Sequence, residues 1–299
     1  MTIMKWEYLR EEEFPEAIKK SGGLCVMCLG CLEKHGQHLP VGTDSLKGDK
    51  IVELAAEEAG VVMFPTAMWL GDVVSSHAVS DPSVNKKYGF VGINPHTLLR
   101  VLEELCDEIH RNGFDKILIC NSHGGNTRLL SYFLRAQGYN KKGYATMVCR
   151  AYDLGGELRP ANMLAAAKAD PEYFSMLTKE DYETLEKFSA PDTTFGHGCF
   201  GETMLVQGTY PELVKLDRCS AENGISTHRS DYLKELGVDF TYAWPSNFPN
   251  SYAGTDPIGC SKTLGEAAIK MSVDRLTKIF EAIRDDEEVV KMADEALPC

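Results

Sequence analysis

The run LCVMCLGCLEKHGQHLPVGTD, residues 24–44, decides both the fold and the site. Its first part, Leu24 to Cys31, is uncharged and apolar and follows Gly22-Gly23, which is the pattern of a strand buried on both faces. The remainder turns abruptly polar, with Glu33, His35, His38 and Asp44 inside twelve residues. A buried strand therefore delivers a cluster of titratable groups at its carboxyl end.

Such a strand needs partners, and the chain supplies them in alternation with helices. Lys50 to Ala59 carries Ile51, Leu54, Ala55 and Ala59 at helical spacing and stops at Gly60. Val61 to Phe64 reads as a second strand, closed by Pro65. Thr66 to Asn94 has little periodicity. An amphipathic helix follows with Leu98, Val101, Leu102, Leu105 and Ile109 on one face, ending at Gly113. Lys116 to Cys120 is a third strand, Asn121 to Asn126 a turn, Thr127 to Gln137 a helix, and Tyr144 to Cys149 a fourth strand. Parallel neighbours require crossovers, so this order predicts an α/β fold with a mostly parallel central sheet and helices on both faces. Beyond Arg150 the reading gives helices over Pro171 to Ser189, Gly201 to Gln207 and Leu264 to Glu288, with mostly loop from Asp217 to Pro257. Residues 1–299 are read as a single domain.

The charge balance of 31 Lys and Arg against 44 Asp and Glu, net −13, argues against nucleic acid as a partner, because phosphate neutralisation needs clustered cations. No stretch reaches the roughly 18 apolar residues that span a bilayer, and the first twenty residues are charged, so a cytoplasmic protein without a membrane partner is expected. The ten cysteines are read as reduced. The spacing Cys25-x2-Cys28-x2-Cys31 lacks the fourth cysteine of an iron–sulfur pattern and lies in the most strand-like segment, so these thiols are assigned to the core. No phosphate-binding glycine loop, nucleophile-elbow serine or HExxH helix is present.

Two polar clusters follow strands: Glu33-Lys-His35-Gly-Gln-His38-Leu-Pro-Val-Gly-Thr-Asp44 after the first, and Asn121-Ser-His123-Gly124-Gly-Asn126 after the third. Both fall at the edge where open α/β sheets bind ligands. Imidazoles and carboxylates from these loops suit a divalent ion of borderline hardness, such as zinc, manganese or iron(II). Glu33 and His35 share a side if the chain there is extended, while Asp44 reaches in from the far end of a loop held by Pro40 and Gly42. A third cluster, His197-Gly-Cys-Phe-Gly-Glu202-Thr, precedes an apolar helix. From the residues alone Glu202 is either a ligand or a carboxylate complementing the helix dipole.

Together these motifs resemble the creatininase (creatinine amidohydrolase) family, in order from Glu33 to Glu202, with Gly254-x-Asp256-Pro257 resembling its closing loop. The resemblance implies a three-layer α/β/α sandwich, often a homo-oligomer and specifically a hexamer, with two divalent ions per chain, hydrolysing amide-type C–N bonds of a small-molecule substrate by a metal-activated water. It places Glu33, Asp44 and His123 on one ion, and His35 with a shared Asp44 on the other. His197 matches the catalytic histidine and is expected to shuttle the proton. The family's further ligand, a Glu two residues after the position of His123, is here Gly125, and Glu202 is expected to replace it. Gly124 stands where creatininase has an aromatic lining its pocket, so an amide other than creatinine is expected, such as a cyclic amide or formamide. His38 and Asn121 are expected to orient ligands, and His77 to contact substrate. The competing readings are a two-metal phosphoesterase, disfavoured by having only Lys34 and Lys47 near the first motif, and a metal-binding or small-molecule-binding homologue without catalysis.

Overall fold

The computed structural model describes residues 4–65, 70–73 and 88–296. Among the described residues four strands form the sheet: β1 (Leu24–Leu29), β2 (Val62–Met63), β3 (Lys116–Asn121) and β4 (Ala145–Arg150). Their order is β2-β1-β3-β4 and all pairs are parallel. The helices are α1 (Phe14–Lys20), α2 (Thr43–Ala59), α3 (Pro95–Arg111), α4 (Asn126–Gln137), α5 (Pro160–Ala169), α6 (Lys179–Phe188), α7 (Phe200–Thr209), α8 (Asp231–Glu235), α9 (Ala243–Asn247), α10 (Lys262–Arg284) and α11 (Glu288–Glu295).

Alternation along β1 explains the layering. Leu24, Val26 and Cys28 face one hydrophobic core, while Cys25, Met27 and Leu29 face the other. Leu118 and Cys120 of β3 continue the first set, and Ile117 and Ile119 the second. The first core is closed by α2, α5, α6, α7 and α10, and the second by α1, α3 and α4. The expected α/β/α sandwich with a parallel sheet is therefore the observed fold. Cys25 and Cys28 are core residues, and the described cysteines are free thiols. No helix among the described residues is long and apolar enough to cross a membrane.

Several boundaries differ from the sequence reading, each for a physical reason. Helix α2 begins at Thr43 rather than Lys50, because its first turns carry buried polar residues (Thr43, Asp44, Ser45, Lys47) that apolar periodicity does not register. The stretch from Pro171 yields a helix only from Lys179, where Thr178 and Asp181 form a capping box. Ala-rich α5 is not predicted, because its apolar residues are spread around the helix and mark no single face. The loop reading of Asp217 to Pro257 misses α8 and α9, each five residues long. The terminal helix is interrupted after Arg284, and α11 is separate.

Helices α7 and α10 cross at Gly208 and Gly265, where a side chain on either glycine would strike the backbone of the other helix. This close approach brings the start of α7 to the carboxyl edge of the sheet.

Candidate metal centre

Connections leave β1 and β3 in opposite directions, one toward β2 and the other toward β4, so the crevice beyond their ends is the switch point of the sheet. Leu29 pairs with Asn121 there. The loop after β1 folds back so that the Glu33 amide donates to the Val41 carbonyl at 2.9 Å. Ser122 Oγ donates to the Asp44 carbonyl at 2.6 Å, fastening the first turn of α2 to the end of β3. Asn126 Nδ2 donates to the carbonyl of Gly30 at 3.1 Å, and its Oδ1 accepts from the Asp72 amide at 2.9 Å.

Three histidines meet three carboxylates in this crevice, and each imidazole is held in the same manner. His35 Nδ1 donates to the Glu33 carbonyl (3.1 Å), His123 Nε2 to the Asp72 carbonyl (2.9 Å) and His197 Nε2 to the Lys34 carbonyl (2.6 Å). A carbonyl only accepts, so the proton on that nitrogen is fixed, and the other nitrogen is turned toward the carboxylates. His123 Nδ1 lies 2.9 Å from Asp44 Oδ2 and 3.2 Å from Glu33 Oε1. His35 Nε2 lies 3.5 Å from Asp44 Oδ2 and 3.7 Å from Glu202 Oε2. His197 Nδ1 lies 3.5 Å from Glu33 Oε1, and its ring stacks on that of His35 at 3.9 Å.

These separations test whether the residues suit a divalent ion. Donors sharing an ion at bond lengths of about 2.1 Å stand roughly 3.0–3.4 Å apart for octahedral to tetrahedral angles. The observed distances cluster about that range. His35 Nε2 is fully buried, with Asp44 Oδ2 and Glu202 Oε2 at 3.5 and 3.7 Å and no hydrogen-bond partner among the described residues. Among the described residues, the donor sets whose atoms lie within 4.8 Å of one another are Cys31, Glu33, Asp44 and His123; Glu33, His35 and His197; and His35, Asp44 and Glu202. The mixture of nitrogen and carboxylate oxygen fits zinc, manganese or iron(II). Cys31 offers a thiol rather than a thiolate, because burial and the adjacent Asp44 push it well above its usual value, and its Sγ donates to Asp44 Oδ2 at 3.1 Å.

One strong participant is Lys47, whose side chain is fully buried. Its Nζ donates to Asp44 Oδ1 at 2.7 Å and to Glu202 Oε1 at 2.6 Å. Burial opposes charge on all three groups, yet their mutual attraction prevails. Asp44 is held well below the carboxylate range by Lys47 and then His35, Glu202 is lowered to about 2 chiefly by Lys47, and Lys47 itself is raised well above the usual ammonium. Burial would lower His123, but Glu33 and Asp44 raise it to about 10. Burial and the neighbouring His35 lower His197. It is also the most open of the three imidazoles, with a side chain 15% exposed, and the Trp244 ring stands edge-on to it at 5.2 Å.

The structure thus brings Glu33, His35, Asp44, His123, His197 and Glu202 together. His38 stands behind them: its Nε2 donates to the Gly198 carbonyl at 2.8 Å, bracing the entry to α7. Asn121 Oδ1 accepts from the His123 amide at 3.1 Å. Gly124 faces open space. A side chain at Gly125 would push into His123 Nε2 and the Asp72 carbonyl, so glycine there preserves the bond that fixes the imidazole. His77 lies outside the described residues. Sequence reasoning missed Asp72, which acts through its carbonyl and leaves no side-chain signal, as well as Cys31 and Trp244. Sequence reasoning counts Lys47 only with Lys34, as the two cations near the first motif, and its place three residues after Asp44 is the signal for the contact.

A parallel α/β sheet with a buried carboxylate and histidine cluster at its switch point defines an α/β protein with a candidate metal centre. The comparisons narrow this. The Creatininase profile, described as creatinine amidohydrolase, matches residues 7–280, and the chain belongs to that family. It is 24% identical over 205 residues to the creatinine amidohydrolase of Pseudomonas putida, covering 66% of this chain and 69% of that one. Among solved structures, a manganese form of creatininase superposes with a TM-score of 0.61 at 18% identity over 95% of this chain and all of that one. A zinc–zinc form of a creatininase variant gives 0.61 at 17% identity over 96% of this chain and all of that one. A Bacteroides fragilis protein provisionally named creatinine amidohydrolase gives 0.66 at 20% identity over 96% and 99%. These structural likenesses carry the fold.

Proposed function

We propose that this creatininase-family protein is a metal-dependent amidohydrolase that cleaves a C–N bond in a small cyclic amide, formamide or similar substrate other than creatinine. The observation that carries the reading is the set of three imidazoles, each tethered through one nitrogen to a backbone carbonyl and presenting the other to Glu33, Asp44 or Glu202. A divalent ion held by Glu33, Asp44 and His123 would polarise a carbonyl oxygen and make water nucleophilic near neutral pH.

The chain's own residues supply the rest. Cleaving an amide requires a proton on the departing nitrogen. His197 suits a shuttle of that proton: burial and His35 lower it so that it rests as the neutral imidazole, its Nε2 is held by the Lys34 carbonyl, and its other nitrogen, Nδ1, can take a proton from water and pass it on. Trp244 beside it offers an apolar edge for a flat substrate. Gly124 leaves room at the mouth. The two lysines that would serve a phosphate are committed elsewhere, Lys47 to Asp44 and Glu202, and Lys34 to Glu222 at 2.6 Å, which favours an amide over a phosphoester. Assembly as a homo-oligomer, a hexamer by resemblance, belongs to the same reading.

The test is elemental analysis of native protein followed by a screen of lactams, linear amides, formamides and a phosphate ester with the recovered metal restored. Turnover of an amide and none of the ester is expected. In the same assay His197→Ala should lower kcat by about 100-fold with metal content intact. Equal loss of metal would make His197 a ligand instead.

A further inference from the structure

We propose that Lys47 is a built-in cation standing in for a second metal ion, so that this chain holds one divalent ion, at Glu33, Asp44 and His123. The proposal rests on the metal dependence argued above and concerns the ion count, which that reading leaves open.

The two oxygens of Asp44 are divided between different partners. Oδ2 faces His123 Nδ1 at 2.9 Å, Cys31 Sγ at 3.1 Å and His35 Nε2 at 3.5 Å, whereas Oδ1 accepts from Lys47 Nζ at 2.7 Å. Glu202 is divided likewise: Oε1 accepts from Lys47 at 2.6 Å, and Oε2 accepts from the Gly198 amide at 2.6 Å. The donor set formed by His35, Asp44 and Glu202 thus has an ammonium on both of its carboxylates. That ammonium has little room to withdraw, because the side chain is fully buried and its Nζ lies 5.2 Å from the Tyr152 ring, whose hydroxyl is bonded to the Ser122 carbonyl.

Charge balance points the same way. Glu33, Asp44 and Glu202 bring three negative charges, which one divalent ion and the lysine cancel. A second divalent ion would leave the buried cluster two charges positive, with Lys47 hydrogen-bonded to two of the ligands that the ion must use. Burial magnifies that repulsion. Glu202 accordingly serves as the anchor of Lys47 rather than as the replacement ligand for the position of Gly125.

The experiment counts zinc and manganese in the whole protein by equilibrium dialysis with elemental analysis, in the wild type and in Lys47→Met, and locates each ion by anomalous scattering. The wild type should hold one ion, at Glu33, Asp44 and His123. Lys47→Met should hold two, its second site gaining roughly 100-fold in affinity from the removed repulsion. Two tightly held ions in the wild type, or one ion in both proteins, would overturn the proposal while leaving the metal reading standing. No ion in the wild type would overturn both. Should Lys47→Met fail to fold, Lys47→Gln, which keeps a donor and removes the charge, carries the same expectation, and Lys47→Arg should stay at one ion.

Discussion

Two lysines of this molecule each bridge a pair of carboxylates, and they sit at opposite ends of the sheet. Lys47 joins Asp44 and Glu202 beyond the carboxyl ends of the strands with its side chain wholly out of water. Lys142 joins Glu103 at 2.7 Å and Asp107 at 3.0 Å near the amino end of β4, where those carboxylates are 38% and 45% exposed. The chemistry is the same and the surroundings differ. At the outer site water can replace any partner, so the pair is worth little. At the inner site each group depends on the others for its charge, and removing one leaves its partners stranded. The difference marks the inner triad as an interdependent buried network and the outer one as a surface pair.

The comparison yields a graded set of expectations. Asp44→Asn should have the largest effect, because this carboxylate faces His35, His123, Cys31 and Lys47 together. Metal content on elemental analysis should fall by at least the ~100-fold that loss of an important supporting group costs. Retention of full metal would remove Asp44 from the centre. Lys47→Met, unfolded by denaturant in the presence of chelator, should lose about 3–5 kcal/mol, since two buried carboxylates lose their cation. A loss as small as that of Lys142→Met would erase the contrast between the two ends.

His123 provides a pH test. Its folded-state value, about 10, lies above the unfolded value near 6.5. Its stabilising effect in metal-free protein is therefore complete below pH about 6.5 and is lost progressively toward pH 10. A metal must displace that proton, so affinity should rise with pH over the same window, with proton release visible by calorimetry in two buffers. Metal affinity that is flat across the window would mean that His123 does not coordinate. The smallest effect belongs to Lys142→Met, under about 1 kcal/mol and diminished further by salt.

The extent to which the sequence disclosed this molecule follows from what each segment buries. β1 and β3 are apolar on both faces and each leads straight into a polar cluster, so the parallel sheet and the position of Glu33, His35 and His123 could be read directly. The family resemblance divided Glu33, Asp44, His123 and His35 into ligand sets and pointed to His197. The first turns of α2 were obscure because they are buried yet polar, and hydrophobic periodicity treats such residues as exterior. The Asp72 carbonyl and the division of Asp44's oxygens between Lys47 and the imidazoles arise from tertiary approach, which no local pattern encodes.

The glycine contact between α7 and α10 has a consequence far from where it occurs. Glu202 lies in the first turn of α7, while Gly208 lies near its end, about 9 Å further along the axis. A helix is stiff over that length, so a methyl group added to Gly265, on an element with no residue in the crevice, would lift the far end of α7 and tilt its near end. The last long helix of the chain therefore acts as the fulcrum that sets how deeply one carboxylate reaches toward the lysine it restrains.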